Sequence, residues 1–151
     1  MSNQELIIEK FSIDMYDQVY ELWQLGNLTL GSSDTKERIQ KVAERNPETF
    51  LVGKIENKVV ACVMGMHDGF RGYIYHLAVD PNHRSNGYGK RLMYELHDVY
   101  ERIGILKIHV LIEKRNKKVQ EFYHKLGWHI RDDLMLMSYI PDEDAYTRTT
   151  P

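Results

Sequence analysis

Leu77-Ala78-Val79-Asp80-Pro81-Asn82-His83-Arg84-Ser85-Asn86-Gly87-Tyr88-Gly89-Lys90-Arg91 decides how the chain folds. It runs from an apolar strand, through a proline break, into a glycine turn and then a helix with Leu92, Leu96, Val99 and Ile103 on one stripe. The first turn of a helix carries backbone N–H groups without helical partners, and the helix dipole adds partial positive charge there. Anions bind such places readily. Gly87 and Gly89 let the main chain approach an anion with no Cβ in the way, and Arg84, Lys90 and Arg91 add positive charge. The alternative is a glycine turn that merely enters a helix, with its basic residues on a solvated face.

Outward from this turn the pattern is mixed. Residues 6–11 form a first strand, and Ser12 or Asp14 is expected to cap a helix with Met15, Val19, Leu22 and Trp23 inward. Gly26-Asn27 stops it; Thr35 opens a second helix, carrying Ile39 and Val42, that Asn46-Pro47 ends. Residues 50–55 and 58–67 read as strands joined by a hairpin turn at Glu56-Asn57, and 73–79 as a third. Beyond the long helix, which Gly104 closes, come a strand at 107–112, a helix at 117–126 stopped by Gly127, and two last β segments at 128–130 and 134–139. The order βααβββαβαββ predicts an α+β fold with helices on the faces of one sheet. Residues 1–140 read as one domain, and 141–151 as a polar, loosely ordered tail.

Composition narrows the function. A length of 151 residues suits one domain. The net charge of -2 lacks the basic footprint of a general nucleic-acid binder. No apolar run approaches the ~20 residues of a membrane span, and Met1-Ser2-Asn3-Gln4-Glu5 lacks the basic and apolar character of a signal peptide. No membrane or nucleic-acid partner is expected, and the cytoplasm is the default location. Cys62, the sole cysteine, sits in an apolar run and reads as a buried small hydrophobe. His124 and His129 lack a third ligand, so no metal is assigned.

The turn is neither a Walker loop, lacking Gly-Lys-Ser/Thr, nor a dinucleotide fingerprint, having two glycines after a strand meander. An adenine nucleotide or coenzyme A remains. A second motif separates them: Asn116 after a strand, then Phe122-Tyr123-His124-Lys125-Leu126-Gly127-Trp128. Together with Arg84-x-x-Gly87-x-Gly89 and Leu77-Ala78-Val79-Asp80-Pro81, this resembles the GNAT superfamily of N-acetyltransferases, on its small prokaryotic branch near the ribosomal-protein acetyltransferases.

The resemblance implies a central mixed, mostly antiparallel sheet whose middle strands splay, and transfer of an acetyl group from acetyl-CoA to a primary amine by direct attack in a ternary complex. By the same resemblance the pantetheine arm pairs with the main chain at Leu77, Ala78 and Val79. The pyrophosphate rests on amides from Asn86 through Gly87, Tyr88 and Gly89 to Lys90, with Arg84 beside it. Asn116 contacts the pantetheine arm, caps the following helix, or does both. Tyr123 matches the general acid that protonates the leaving thiolate. The glutamates that serve as base in relatives are absent: Leu111 and Tyr73 stand near their places. His76, His109 and Glu113 are the remaining candidates, His76 first. The acceptor cleft is expected under residues 23–34, where Trp23 is either wall or core. The acceptor amine is a small molecule, or a protein N-terminus or lysine, and the chain a monomer or homodimer. The alternative function is a non-catalytic acyl-CoA sensor.

Overall fold

The computed structural model describes residues 5–148. The readings of the extreme N-terminus, Met1 to Gln4, and of the tail end, Thr149 to Pro151, lie outside them.

The elements are β1 (Ile7–Lys10), α1 (Tyr16–Leu25), α2 (Lys36–Arg45), β2 (Phe50–Ile55), β3 (Lys58–His67), β4 (Gly72–Val79), α3 (Tyr88–Arg102), β5 (Ile108–Val110) and α4 (Lys117–Lys125). The strands form one five-stranded sheet in the order β1-β2-β3-β4-β5. All neighbours are antiparallel except β4 and β5, which are parallel. No helix among the described residues is long and apolar enough to cross a membrane.

The two-residue period of β3 explains why helices cover both faces. Cys62 and Met64 point into a core with Val19, Leu22 and Trp23 of α1 and Ile39 of α2. Ala61 and Val63 point the other way, against Leu92, Met93, Leu96 and Tyr100 of α3 and Tyr123 of α4. Each fully buried side chain of the Leu or Val class contributes about 1.5–3 kcal/mol. Trp23 is wholly buried, so of its two readings the structure selects core.

Local signals act largely as the sequence suggests. The Thr35 side chain accepts from Arg38 N at the start of α2, and Glu56 and Asn57 take positive φ (48° and 67°) in the β2–β3 turn. Ser12 and Asp14 depart from expectation: their side chains bond to each other, ahead of a 3-10 turn at Ile13–Met15, and neither caps α1.

The C-terminal third departs most. β5 spans Ile108–Val110 rather than 107–112, and neither 128–130 nor 134–139 forms a strand. A strand needs a ladder partner as well as an alternating pattern. Trp128 instead packs on the Tyr123 ring and donates Nε1–H to His97 Nε2 (3.1 Å), while residues 134–139 stand in solvent. The tail is tied down rather than loose. Ser32 N–H donates to Thr147 O, and Thr147 N–H to Ser32 Oγ, each at 2.9 Å.

Close approach fixes the centre of β3. Gly65 N–H donates to Thr49 O, and a Cβ on Gly65 would lie 2.5 Å from that oxygen. Gly65→Ala is therefore expected to destabilise the protein by about 1–3 kcal/mol, read as a lower urea midpoint; an unchanged midpoint would contradict this packing.

Candidate active site

The site begins with a fault in the sheet. Cys62 pairs with Ala78 and Met64 with Tyr75, so Val63 alone faces both His76 and Leu77. This bulge puts His76 at φ +54°, a left-handed conformation that costs a non-glycine residue about 1–3 kcal/mol. On the other side, β4 pairs with β5 only from Gly72 to Ile74. The strands part just before the bulge, and a cleft of about 1060 Å³ opens there. The expected splay is present, and the bulge is its physical cause.

His76, Leu77, Ala78 and Val79 form one wall, Val110, Leu111 and Ile112 the other. Across the mouth lies the glycine turn. Gly87, at φ +76°, is the N-cap of α3. The first helical bond runs from Arg91 N–H to Gly87 O (3.0 Å), so the amides of Tyr88, Gly89 and Lys90 lie ahead of the ladder. All three residues line the cleft, and the space where Gly87 would carry a Cβ is open. This is an anion seat: free donors, a helix dipole and no side chain in the way.

The other sequence candidates divide. Arg84 lines the cleft while its Nε–H donates to Val79 O (3.3 Å), tying the turn to the end of β4. The Asn86 side chain lies outside the lining and braces the turn through His83 O (3.0 Å) and Arg84 O (3.3 Å). Arg91 turns away to Leu6 O (3.4 Å). Asn116 lines the cleft and caps α4, its Oδ1 accepting from Val119 N (3.4 Å). Lys118 and Arg115 also reach the lining; their only sequence signal was a basic run at the start of α4. Asn27, Leu28 and Thr29, from the stretch expected to cover the acceptor, also line the cleft.

Tyr123 faces the cleft from α4, although the residue is only 4% exposed. Phe122 and Trp128 hold its ring edge-on, at 5.3 and 5.2 Å between centroids. Burial pushes its phenol above the ordinary value.

The candidate bases separate cleanly. Glu113 also lines the cleft, where its exposed carboxylate accepts from Arg115 Nε (2.6 Å). His109 lies outside the lining, and burial, followed by the charges of Lys107, Arg131 and Arg71, lowers its pKa. His76 lines the cleft with Nε2 at 2.7 Å from Asp34 Oδ1 and its ring 4.7 Å from that of Trp23. Asp34 is itself buried, with Oδ2 accepting from Gly31 N–H (2.9 Å) and its carbonyl from Tyr16 OH (2.6 Å). Nothing in the sequence marked Asp34: it stands 42 residues before His76, and only the fold joins them.

A sheet parted by a bulge, with amides ahead of the α3 ladder and a buried tyrosine lining the gap, marks out a class of fold built around one open cleft. The comparisons give that class its family. Residues 15–128 match the acetyltransferase (GNAT) family, and the chain belongs to it. An acetyltransferase of Yersinia pestis is 31% identical over 129 residues, 85% of this chain and 92% of the relative. One from Sodalis glossinidius is 30% identical over 130 residues, 86% and 92% of the two chains. Among solved structures, Ard1 from Thermoplasma volcanium superposes with a TM-score of 0.75 at 23% identity, covering 95% of both chains. The PaiA N-acetyltransferase from Thermoplasma acidophilum, in complex with coenzyme A, gives 0.74 at 18% identity over 85% of this chain and 92% of its own. The last two likenesses are of fold.

Cys62 lies outside the cleft lining, its Sγ 4.0 Å from the carbonyl oxygen of His76. It is fully buried, and burial pushes its thiol up to about 12. Cys62→Ala is expected to keep turnover within about threefold, below ~1 kcal/mol; loss of activity in a folded variant would make the cysteine chemical. Gly87→Val, strained at positive φ and bulky over the amides, is expected to weaken coenzyme A binding at least tenfold, ~1.4 kcal/mol. Unchanged affinity by calorimetry would remove the turn from the site.

Proposed function

We propose that this acetyltransferase takes its acetyl group from acetyl-CoA and passes it directly to a primary amine. The observation that carries the reading is the His76–Asp34 pair on the bulge, facing the same cleft as Tyr123. The cleft's volume, the amides ahead of the α3 ladder and the basic Arg84, Lys90 and Lys118 fit an extended diphosphate with a thioester arm. The coenzyme A found with PaiA, a protein of the same fold, supports that choice.

Bound acetyl-CoA supplies an activated acyl carbon. The amides of Tyr88, Gly89 and Lys90 hold the diphosphate, and main-chain groups at Leu77 and Val79, beyond the last β5 pair, hold the arm and polarise the carbonyl. An alkylamine, with pKa near ~10.4, arrives protonated and must lose a proton before it attacks. With Nε2–H given to Asp34, His76 Nδ1 accepts that proton; Asp34 fixes ring and tautomer. As the C–N bond forms and the C–S bond breaks, Tyr123 gives its phenolic proton to the departing sulfur, and the proton that the new amide nitrogen sheds returns to the phenolate through solvent. A raised phenol pKa keeps that proton in place through the neutral range.

A purely acyl-CoA-binding sensor needs neither the buried carboxyl behind His76 nor a tyrosine at the gap, so the enzyme reading is preferred. Tyr123→Phe is expected to lower kcat by about 10²–10⁴-fold with coenzyme A affinity nearly unchanged, in a thiol-release assay across a panel of amines. Equal losses in both would contradict the general acid. Because burial raises the Tyr123 phenol, the wild-type rate should show no alkaline limb below about pH 10. An alkaline limb at lower pH that vanished in Tyr123→Phe would refute this protonation state. His76→Gln should lower kcat at saturating acetyl-CoA by at least tenfold with coenzyme A affinity nearly unchanged, and an unchanged kcat in the folded variant would exclude it as base.

A further inference from the structure

We infer that His97 and Trp128 are positioning residues for Tyr123: a hydrogen bond outside the cleft fixes the indole, and the indole fixes the phenol ring. The inference rests on the general-acid reading of that ring and says what aims its proton at the leaving sulfur.

The arrangement starts in the sequence Tyr123-His124-Lys125-Leu126-Gly127-Trp128. Gly127, at φ +94°, lets the chain leave α4 through the left-handed conformation. Its N–H then donates to His124 O (3.0 Å), and the N–H of Trp128 donates to Tyr123 O (3.1 Å). These two bonds are the Schellman closure of a helix, which sets the residue beyond the glycine against the last turn. Trp128 is thereby carried back onto Tyr123, with ring centroids 5.2 Å apart at 66°. Among the described residues no hydrogen bond fixes the Tyr123 hydroxyl, and burial alone shifts its pKa. The direction of the phenol is therefore set by the rings packed on it.

A ring held on one side only can rock. α3 supplies the second hold: Trp128 Nε1–H donates to His97 Nε2 (3.1 Å), with the two rings 5.9 Å apart. An indole N–H can only donate, so Nε2 is the bare nitrogen of a neutral imidazole and Nδ1 carries its proton. Burial lowers the His97 pKa, against the opposing charge of Asp98, and so favours that neutral form. Tyr94 braces the imidazole edge-on at 6.3 Å. Filling space here would need no polar pair, since two apolar groups of the same shape serve stability about as well. What the pair adds is a fixed angle. Neither His97 nor Trp128 lines the cleft, so both reach the reaction only through Tyr123.

The test compares His97→Leu, which removes the acceptor, with His97→Gln, whose amide oxygen can replace it. In protein labelled with carbon-13 at tyrosine Cζ, the Tyr123 resonance is assigned by its loss in Tyr123→Phe. It is expected to move in His97→Leu and to return in His97→Gln. In thiol release from acetyl-CoA, with the amine that wild type uses fastest, His97→Leu should lower kcat about tenfold or more. Coenzyme A affinity should stay within about twofold, and His97→Gln should restore kcat to within about threefold of wild type. Trp128→Phe, which keeps a ring on Tyr123 but loses the donor, carries the same expectation as His97→Leu and replaces it if that variant fails to fold. In a Tyr123→Phe background, His97→Leu should slow turnover no further, because the residue it acts through is gone. A wild-type kcat in His97→Leu beside a slow Tyr123→Phe overturns the positioning role and leaves the acid standing. Equal slowing by His97→Leu and His97→Gln, or the full loss repeated in the Tyr123→Phe background, also overturns it. A Tyr123→Phe as fast as wild type removes the acid itself, and this inference with it.

Discussion

The bulge in β4 is the constraint on which the rest of the site depends. One residue of β3, Val63, faces both His76 and Leu77, and the extra residue is accommodated by a histidine at φ +54°. A non-glycine side chain holds that conformation only where its surroundings over-determine it. Here they do: Asp34 binds the ring from below the cleft, and Trp23 lies against it. Asp34 is in turn held by Gly31 and Tyr16. The same distortion ends the β4–β5 ladder at Ile74 and Val110 and aims His76 into the space that results. Cleft and candidate base thus share one cause.

The two faces of the sheet contribute different parts. The face covered by α1 and α2 supplies Asp34 behind His76 and the loop Asn27-Leu28-Thr29 of the cleft lining. The face covered by α3 and α4 supplies the amides of the anion seat and Tyr123. Because β3 buries side chains into both cores, displacement of one layer is transmitted to the other through a well-packed centre.

What the sequence made legible was local. The glycine turn, the helix it opens and Tyr123 stand in short motifs, and their chemistry follows from a few adjacent residues. The sheet order followed from hairpins whose turn residues declare themselves, such as Glu56-Asn57. Asp34 was not legible, since its place depends on a contact with His76 of β4 from the far side of α2, β2 and β3 in the chain. The last β segments failed for a related reason. The apolar run at 134–139 has the composition of a strand, but composition does not state which edge, if any, would pair with it. The tail misled because its polar residues hide a contact made by Thr147, whose carbonyl accepts from Ser32 N–H and whose N–H donates to Ser32 Oγ.

The decisive measurement is a crystal structure of the protein with bound acetyl-CoA. Diphosphate oxygens are expected at hydrogen-bonding distance from the amides of Tyr88, Gly89 and Lys90. The thioester is expected between β4 and β5, with the acyl carbon in reach of both His76 and Tyr123. Acetyl-CoA bound elsewhere, or a β4 straightened at His76 with its ladder to β5 closed, would contradict it.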